Sequence, residues 1–104
     1  MQFHDAYRIL ATQNVAYAAA GGASAQSAAF GSQTRFIRVC AVGVVSATID
    51  GVRIAIDSNP TASSTTALVA VNFPEIFKVG PGQKIAVLGN NTGTGTINVT
   101  ELTD

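Results

Sequence analysis

Few residues in this sequence are of types that do chemistry. Its 104 residues include one His, one Cys and no Trp, with six acids and six bases scattered among Ala, Val, Thr, Ser and Gly. A Ser–His–Asp site needs a nucleophile, a base and an orienting acid held together. His4 is the only imidazole, it stands at the start of the chain, and no Gly-x-Ser-x-Gly elbow frames any serine. One His and one Cys cannot complete a zinc site within one chain. Asp50 and Asp57 fall at opposite ends of an expected hairpin, too far apart to share an ion. Asn90, Asn91 and Thr92 carry oxygen ligands, but Ca²⁺ sites usually draw on several carboxylates. Gly89–Gly95 contains Gly-Thr-Gly-Thr without the Gly-Lys-[Ser/Thr] ending of a phosphate-binding loop, and it leads into a strand pattern where such a loop leads into a helix. The expectation is a non-enzymatic protein with no catalytic, metal or cofactor-binding residues.

Composition narrows the class further. Charged residues make up 12% of the chain and sum to zero net charge, against about 25% charged in a typical soluble domain. Nucleic acid binding draws on clustered Lys and Arg, whereas here the closest basic pair is Arg35 and Arg38. Low charge lessens self-repulsion and favours association, so the surface reads as one that packs against other protein. No stretch approaches the ~20 apolar residues of a membrane helix. Met1–Asp5 lacks the basic start and apolar run of a signal peptide, which predicts a soluble, unprocessed chain made in the cytosol. For the same reason the formal glycosylation sequons at Asn90 and Asn98 carry no weight. Cys40 has no partner for an internal disulfide, and its apolar run, Phe36–Val42, predicts a buried structural thiol.

The length suits one domain, 1–104, with a core that needs no disulfide. Asp50-Gly51 fits the two central positions of a type I′ turn. Pairing outward from it sets Ile49 against Val52, Ala47 against Ile54 and Val45 against Ile56 on one apolar face. Ser46, Thr48, Arg53, Ala55 and Asp57 take the other face. A second hairpin is expected between Glu75–Val79 and Lys84–Leu88 around Gly80-Pro81-Gly82-Gln83, which suits a type II turn. A third is expected between Lys84–Leu88 and Thr96–Leu102 across Gly89–Gly95, with Ile85, Val87, Ile97 and Val99 turned inward and the loop tip mobile. Further strands are expected at Thr34–Val42 and Thr66–Val71, the latter ended by Pro74, with a loop at Ser58-Asn59-Pro60. Short strands punctuated in this way indicate an all-β fold, a small antiparallel sandwich or jelly roll.

The first 31 residues read differently. Asp5–Ala20 is compatible with a helix capped by Asp5, or with a strand alternating through Val15, Tyr17 and Ala19; extended structure is the favoured reading. Ala18–Ala29 is a run of small residues that cannot build a large core alone, which predicts a segment laid flat against a sheet or another subunit. The expected organisation is therefore an N-terminal arm, 1–31, and a β-sandwich, 32–104. Thr61–Thr66 and Thr92–Thr96 offer neutral hydrogen-bonding surface, equally suited to solvent and to contacts that must survive salt.

From Ser32 to Thr103, about two-thirds of the chain, the sequence resembles small structural proteins of tailed bacteriophages. The stretches that carry the resemblance are Gln33–Val39, Phe73–Val87 and Ile97–Leu102. It implies a virion component, a head decoration or cement protein: a small jelly-roll-like β-sandwich that assembles as a homotrimer on the capsid surface and binds the major capsid protein. On this reading the strands around Val45–Ile56 and Ile85–Val99 form the core. The arm and the Thr-rich loops make subunit and capsid contacts, and Glu75 and Lys78 contribute polar rim contacts. A tail or fibre-knob component is the alternative within the same virion setting. A carbohydrate-binding sandwich is less favoured, because the seven aromatics, Phe3, Tyr7, Tyr17, Phe30, Phe36, Phe73 and Phe77, include no Trp and no Tyr cluster.

Overall fold

The computed structural model describes residues 7–43 and 51–104. These form eight strands: β1 (Arg8–Tyr17), β2 (Ala25–Gln26), β3 (Phe36–Gly43), β4 (Gly51–Asp57), β5 (Ala67–Ala70), β6 (Glu75–Lys78), β7 (Lys84–Gly89) and β8 (Gly95–Thr103). Sheet A has the order β1-β8-β3-β6 and sheet B the order β2-β7-β4-β5, and every ladder within them is antiparallel. The chain is an all-β sandwich of two antiparallel sheets, as its alternating pattern predicts. The pairs β1–β8, β2–β7, β3–β6 and β4–β5 are nested, so the strands follow the course of one long antiparallel ribbon folded over on itself.

The core lies between the sheets and is built by strand alternation. On β3, Ile37, Val39 and Ala41 point inward; on β8, Ile97 and Val99; on β4, Val52 and Ile54; on β7, Ile85 and Val87. Val15 and Tyr17 of β1, Phe30, Val69 and Val79 complete the cluster. A fully buried Val or Ile contributes about 1.5–3 kcal/mol relative to exposure, so these side chains dominate the stability of so small a domain. The expected core strands at 85–99 and 52–56 are present. Residues 45–49, with the pairing expected for Val45, Ala47 and Ile49, lie outside the described residues. The partners that the structure gives Val52 are Val69 and Gly89, and those of Ile54 are Ala67 and Val87.

Three expectations are corrected by the sheet topology. Glu75–Val79 and Lys84–Leu88 are not hairpin partners, because β6 belongs to sheet A and β7 to sheet B. The turn between them does form: Gln83 N–H donates to the Gly80 carbonyl at 3.3 Å, and Gly82 adopts φ +81° behind Pro81. A type II turn splays flanking strands, whereas the primed turns match their twist. Accordingly Val79 N–H goes to Arg35 O in sheet A, while Gln83 O accepts from Phe30 N–H alongside sheet B. Likewise Lys84–Leu88 and Thr96–Leu102 are not paired, and Gly89–Gly95 carries the chain from sheet B to sheet A. Gly51 is the third case. It does not have the positive φ of a type I′ turn; it opens β4, buried, and a Cβ there would meet the Val69 carbonyl oxygen at 2.9 Å and Leu68 Cδ1 at 2.8 Å. Close approach of β5, not turn geometry, makes a side chain costly there.

The expected separation of arm and sandwich also gives way over residues 7–31. β1 is a strand of sheet A, paired with β8 along its length apart from a bulge between Ile9 and Thr12, and β2 pairs with β7 at the edge of sheet B. The Gln13 side chain locks the two together, its amide donating to Ala28 O at 3.3 Å and its carbonyl accepting from Ala28 N–H at 2.9 Å. The small residues of 18–29 do lie flat against a sheet edge: Ser27 N–H donates to Ile85 O, and Ile85 N–H to Ser27 Oγ. The arm is a composition signal of close packing onto β7, not of a detached segment.

Candidate functional site

With both inner faces spent on the core, what remains for recognition is the two outer faces and the loops. Register fixes which side chains they carry. On sheet A, Phe36, Arg38, Cys40 and Val42 of β3 stand beside Ile76 and Lys78 of β6, and beside Thr96, Asn98, Thr100 and Leu102 of β8. Beyond β8 come Ile9, Thr12, Asn14 and Ala16 of β1. The middle is polar, with Asn98 donating to Asn14 Oδ1 at 3.0 Å and Thr100 to Asn98 Oδ1 at 3.2 Å. The periphery is apolar: Ile9 is 71% exposed, Val42 56% and Ile76 48%. Tyr7 packs on Phe36 with ring centroids 5.1 Å apart, and Leu102, which shares their row, is buried without belonging to the inner core. Phe73, just before β6, is 63% exposed.

Cys40 faces outward on this sheet and is half-buried, which corrects the expectation of a core thiol. Cys40 shares the parity of Arg38 in the run Phe36–Val42, so strand alternation sets it on the charged, outward side that the apolar composition of the run obscured. Glu75 and Lys78 are also corrected. Glu75 is in register with inward-facing Val39 and Lys78 with outward-facing Phe36, so strand alternation separates them onto opposite faces and they do not form one rim.

Sheet B is partly covered on its outer side, over β2, β7 and β4, while Leu68 of β5 stays 47% exposed. The loop 58–66 leaves β4, reaches β2 and returns to β5. Gln26 Nε2 donates to Pro60 O at 2.7 Å and to Asn59 Oδ1 at 2.9 Å, and Ala62 N–H to Ser24 Oγ at 2.9 Å. Ala62 and outward-facing Ala86 are buried as a result. The Thr-rich stretch expected to make partner contacts bonds largely to itself: Thr66 Oγ1 donates to Ser63 O and accepts from Ser63 N–H, and the Ser63 and Thr65 hydroxyls are 3.0 Å apart. Of the second stretch, Thr92 and Thr94 are exposed.

Two polar features escaped the sequence reading. Glu101 is buried and accepts from Thr34 Oγ1 at 2.6 Å and Gly31 N–H at 2.9 Å, tying the 31–34 turn to β8. Its signal was present, since it follows Ile97 and Val99 in inward parity. Arg53, on the outer face of β4 as expected, donates from Nε to Asn90 Oδ1 and from Nη1 to Thr66 O, both at 3.0 Å. Neither neighbourhood brings together a nucleophile and a base. Among the described residues no three His, Cys, Asp or Glu side chains come close enough to hold a metal ion, and no helix is long and apolar enough to cross a membrane. His4 and Asp50 lie outside the described residues, while Asp57 ends β4 in register with Lys84. No family model, no curated protein and no solved structure matches the chain.

Proposed function

We propose that this chain is a non-enzymatic structural protein of a tailed-phage virion, which decorates or cements the capsid by binding the major capsid protein. The observation that carries the reading is the outer face of sheet A, where Ile9, Val42 and Ile76 stand exposed and the charges on β3 and β6 are Arg38 and Lys78. Large apolar side chains left exposed on one face favour contact with another protein, and the Asn and Thr side chains between them offer a partner hydrogen bonds. The nested strand pairing supports it too, because it is compatible with a jelly roll, a common capsid architecture. The chain acts on the capsid surface as a homotrimer, held by apolar and hydrogen-bonded contacts that salt screens little.

The test is whether the chain is found in purified particles at a fixed copy number relative to the shell protein. Binding of the purified chain to undecorated shells, and light scattering in low and ~1 M salt, check the partner and the oligomer. A chain absent from particles and unable to bind shells overturns the reading.

A further inference from the structure

A cleft of about 230 Å³ opens on the outer face of sheet B, beyond the part covered by the 58–66 loop, with Arg53 at its wall. Ala20, Ser64, Leu88 and Asn90 also line it, and no acid does. We propose that this cleft binds a carboxylate, held by the Arg53 guanidinium.

The guanidinium is already oriented. It springs from the middle of a central strand, and two of its five N–H groups are fixed by Asn90 Oδ1 and the Thr66 carbonyl. Three N–H groups remain without a partner among the described residues, on Nη1 and Nη2. Paired N–H groups of a guanidinium are spaced to match the two oxygens of a carboxylate. With its Nε tied back, the side chain loses little freedom on binding, which is the usual cost of recruiting an Arg. The Ser64 hydroxyl, exposed and unbonded among the described residues, supplies a further donor. Leu88 and Ala20 give the apolar wall that a short aliphatic stem needs.

Size and charge select the ligand class. Drug-sized ligands take clefts of roughly 300–1,000 Å³, so this one fits a few heavy atoms. A phosphate group carries about −1.5 to −2 charges, which one Arg does not balance, whereas a carboxylate is a monoanion. The same group comes either as a free short-chain acid or as an Asp or Glu side chain of another protein. The site lies on the opposite outer face from the apolar surface of sheet A and does not depend on what that surface binds.

The experiment titrates the ¹⁵N-labelled full chain with sodium acetate, and separately with N-acetylglutamate amide, against sodium chloride at equal ionic strength. The amides of Gly21, Ser64 and Asn90 and the Arg53 Nε–H are followed. Saturating shifts confined to these groups, with half-saturation in the millimolar range, are expected for the carboxylates and not for chloride. R53M weakens binding at least about tenfold, and R53K does so by a smaller factor because an ammonium cannot form the fork. R53M also frees Asn90 and Thr66, so S64A provides a second variant outside any internal bond, with an expected two- to threefold loss, about that of one shared hydrogen bond. Saturation by acetate alone assigns the site to free acids; saturation by the glutamate amide alone assigns it to protein side chains. No saturation by either probe, the same shifts with chloride, or unchanged half-saturation in both R53M and S64A overturns the proposal.

Discussion

On the outer face of sheet B, Ala86 is fully buried, while across the sandwich Ile9 and Val42 on the outer face of sheet A are more than half exposed. Both faces are the backs of four-stranded antiparallel sheets, so strand content does not explain the difference. Side-chain size and a loop do. β7 and β4 carry Ala86 and Ala55 side by side, small enough for the 58–66 loop to lie across, and Gln26 of β2 and Ser24 bond to it from the sheet edge. β1, β8 and β3 carry Ile9, Leu102 and Phe36 in the corresponding kind of row, with Tyr7 stacked on Phe36. A sheet back furnished with small residues recruits its own chain as cover. On the back of sheet A the larger apolar residues Ile9 and Val42 stay exposed.

The largest effect is expected from removing the outer strand of both sheets at once. A chain beginning at Ser32 lacks β1 and β2 together with the core side chains Val15, Tyr17 and Phe30. It also leaves the edges of β8 and β7 unpaired. Three buried side chains at about 1.5–3 kcal/mol each, plus two lost ladders, approach the 5–15 kcal/mol total stability of an ordinary domain. The expected outcome is loss of the cooperative thermal transition by circular dichroism. A truncated chain that melts cooperatively near the full-length temperature would show that residues 1–31 add little to the fold.

The covered face should respond to mutation as a core does. Ala86→Asp forces a carboxylate into a fully buried position beneath the loop, and the expected loss is about 3 kcal/mol or more, read as a shift in urea midpoint. Gln26→Ala tests the fastening of the cover instead of its underside. It removes the bonds to Pro60 O and Asn59 Oδ1, one of them partly buried, and is expected to cost about 1 kcal/mol. Faster amide exchange across 58–66, with β7 unchanged, would accompany it. If Ala86→Asp costs no more than a surface change, the distinction between covered and open faces fails.

The two faces were unequally legible in the sequence. Alternation revealed which side chains turn inward on β7 and β8, and it placed Arg53, Ala55 and Asp57 outward on β4, because a period of two is a local property of the strand. Partners were not legible. Gly80–Gln83 forms the expected turn, yet its flanks pair with β3 and with the segment around Phe30, contacts roughly 36–53 residues away in sequence. The turn type held a clue, since types I and II do not match hairpin twist as the primed turns do. The Arg53 cleft was hidden for a related reason. It takes shape only where 20–22, 64 and 88–90 converge, and nothing local to Arg53 announces Asn90 or Thr66 as its partners.

The smallest stability effect is expected on the open face, and there it should coincide with the largest effect on binding. Ile76 is 48% exposed on the edge strand β6 and stands in register with Arg38 of β3. Ile76→Asp therefore removes little buried area and sets an acid directly across from a cation, a cross-strand pair that offsets part of the loss. The expected change in urea midpoint corresponds to no more than about 0.5 kcal/mol. A surface that docks on a partner through apolar side chains cannot tolerate the same change, because the carboxylate is desolvated on contact. Binding of the Asp variant to undecorated shells is expected to fall by about tenfold or more, the loss of roughly 1.4 kcal/mol at one anchor. Thr61→Asp, an exposed position on the loop that covers sheet B, supplies the matched control and is expected to leave shell binding unchanged. If Ile76→Asp binds shells as the original chain does while Thr61→Asp does not, the docking surface is the covered side of the molecule, and the open face of sheet A needs another explanation.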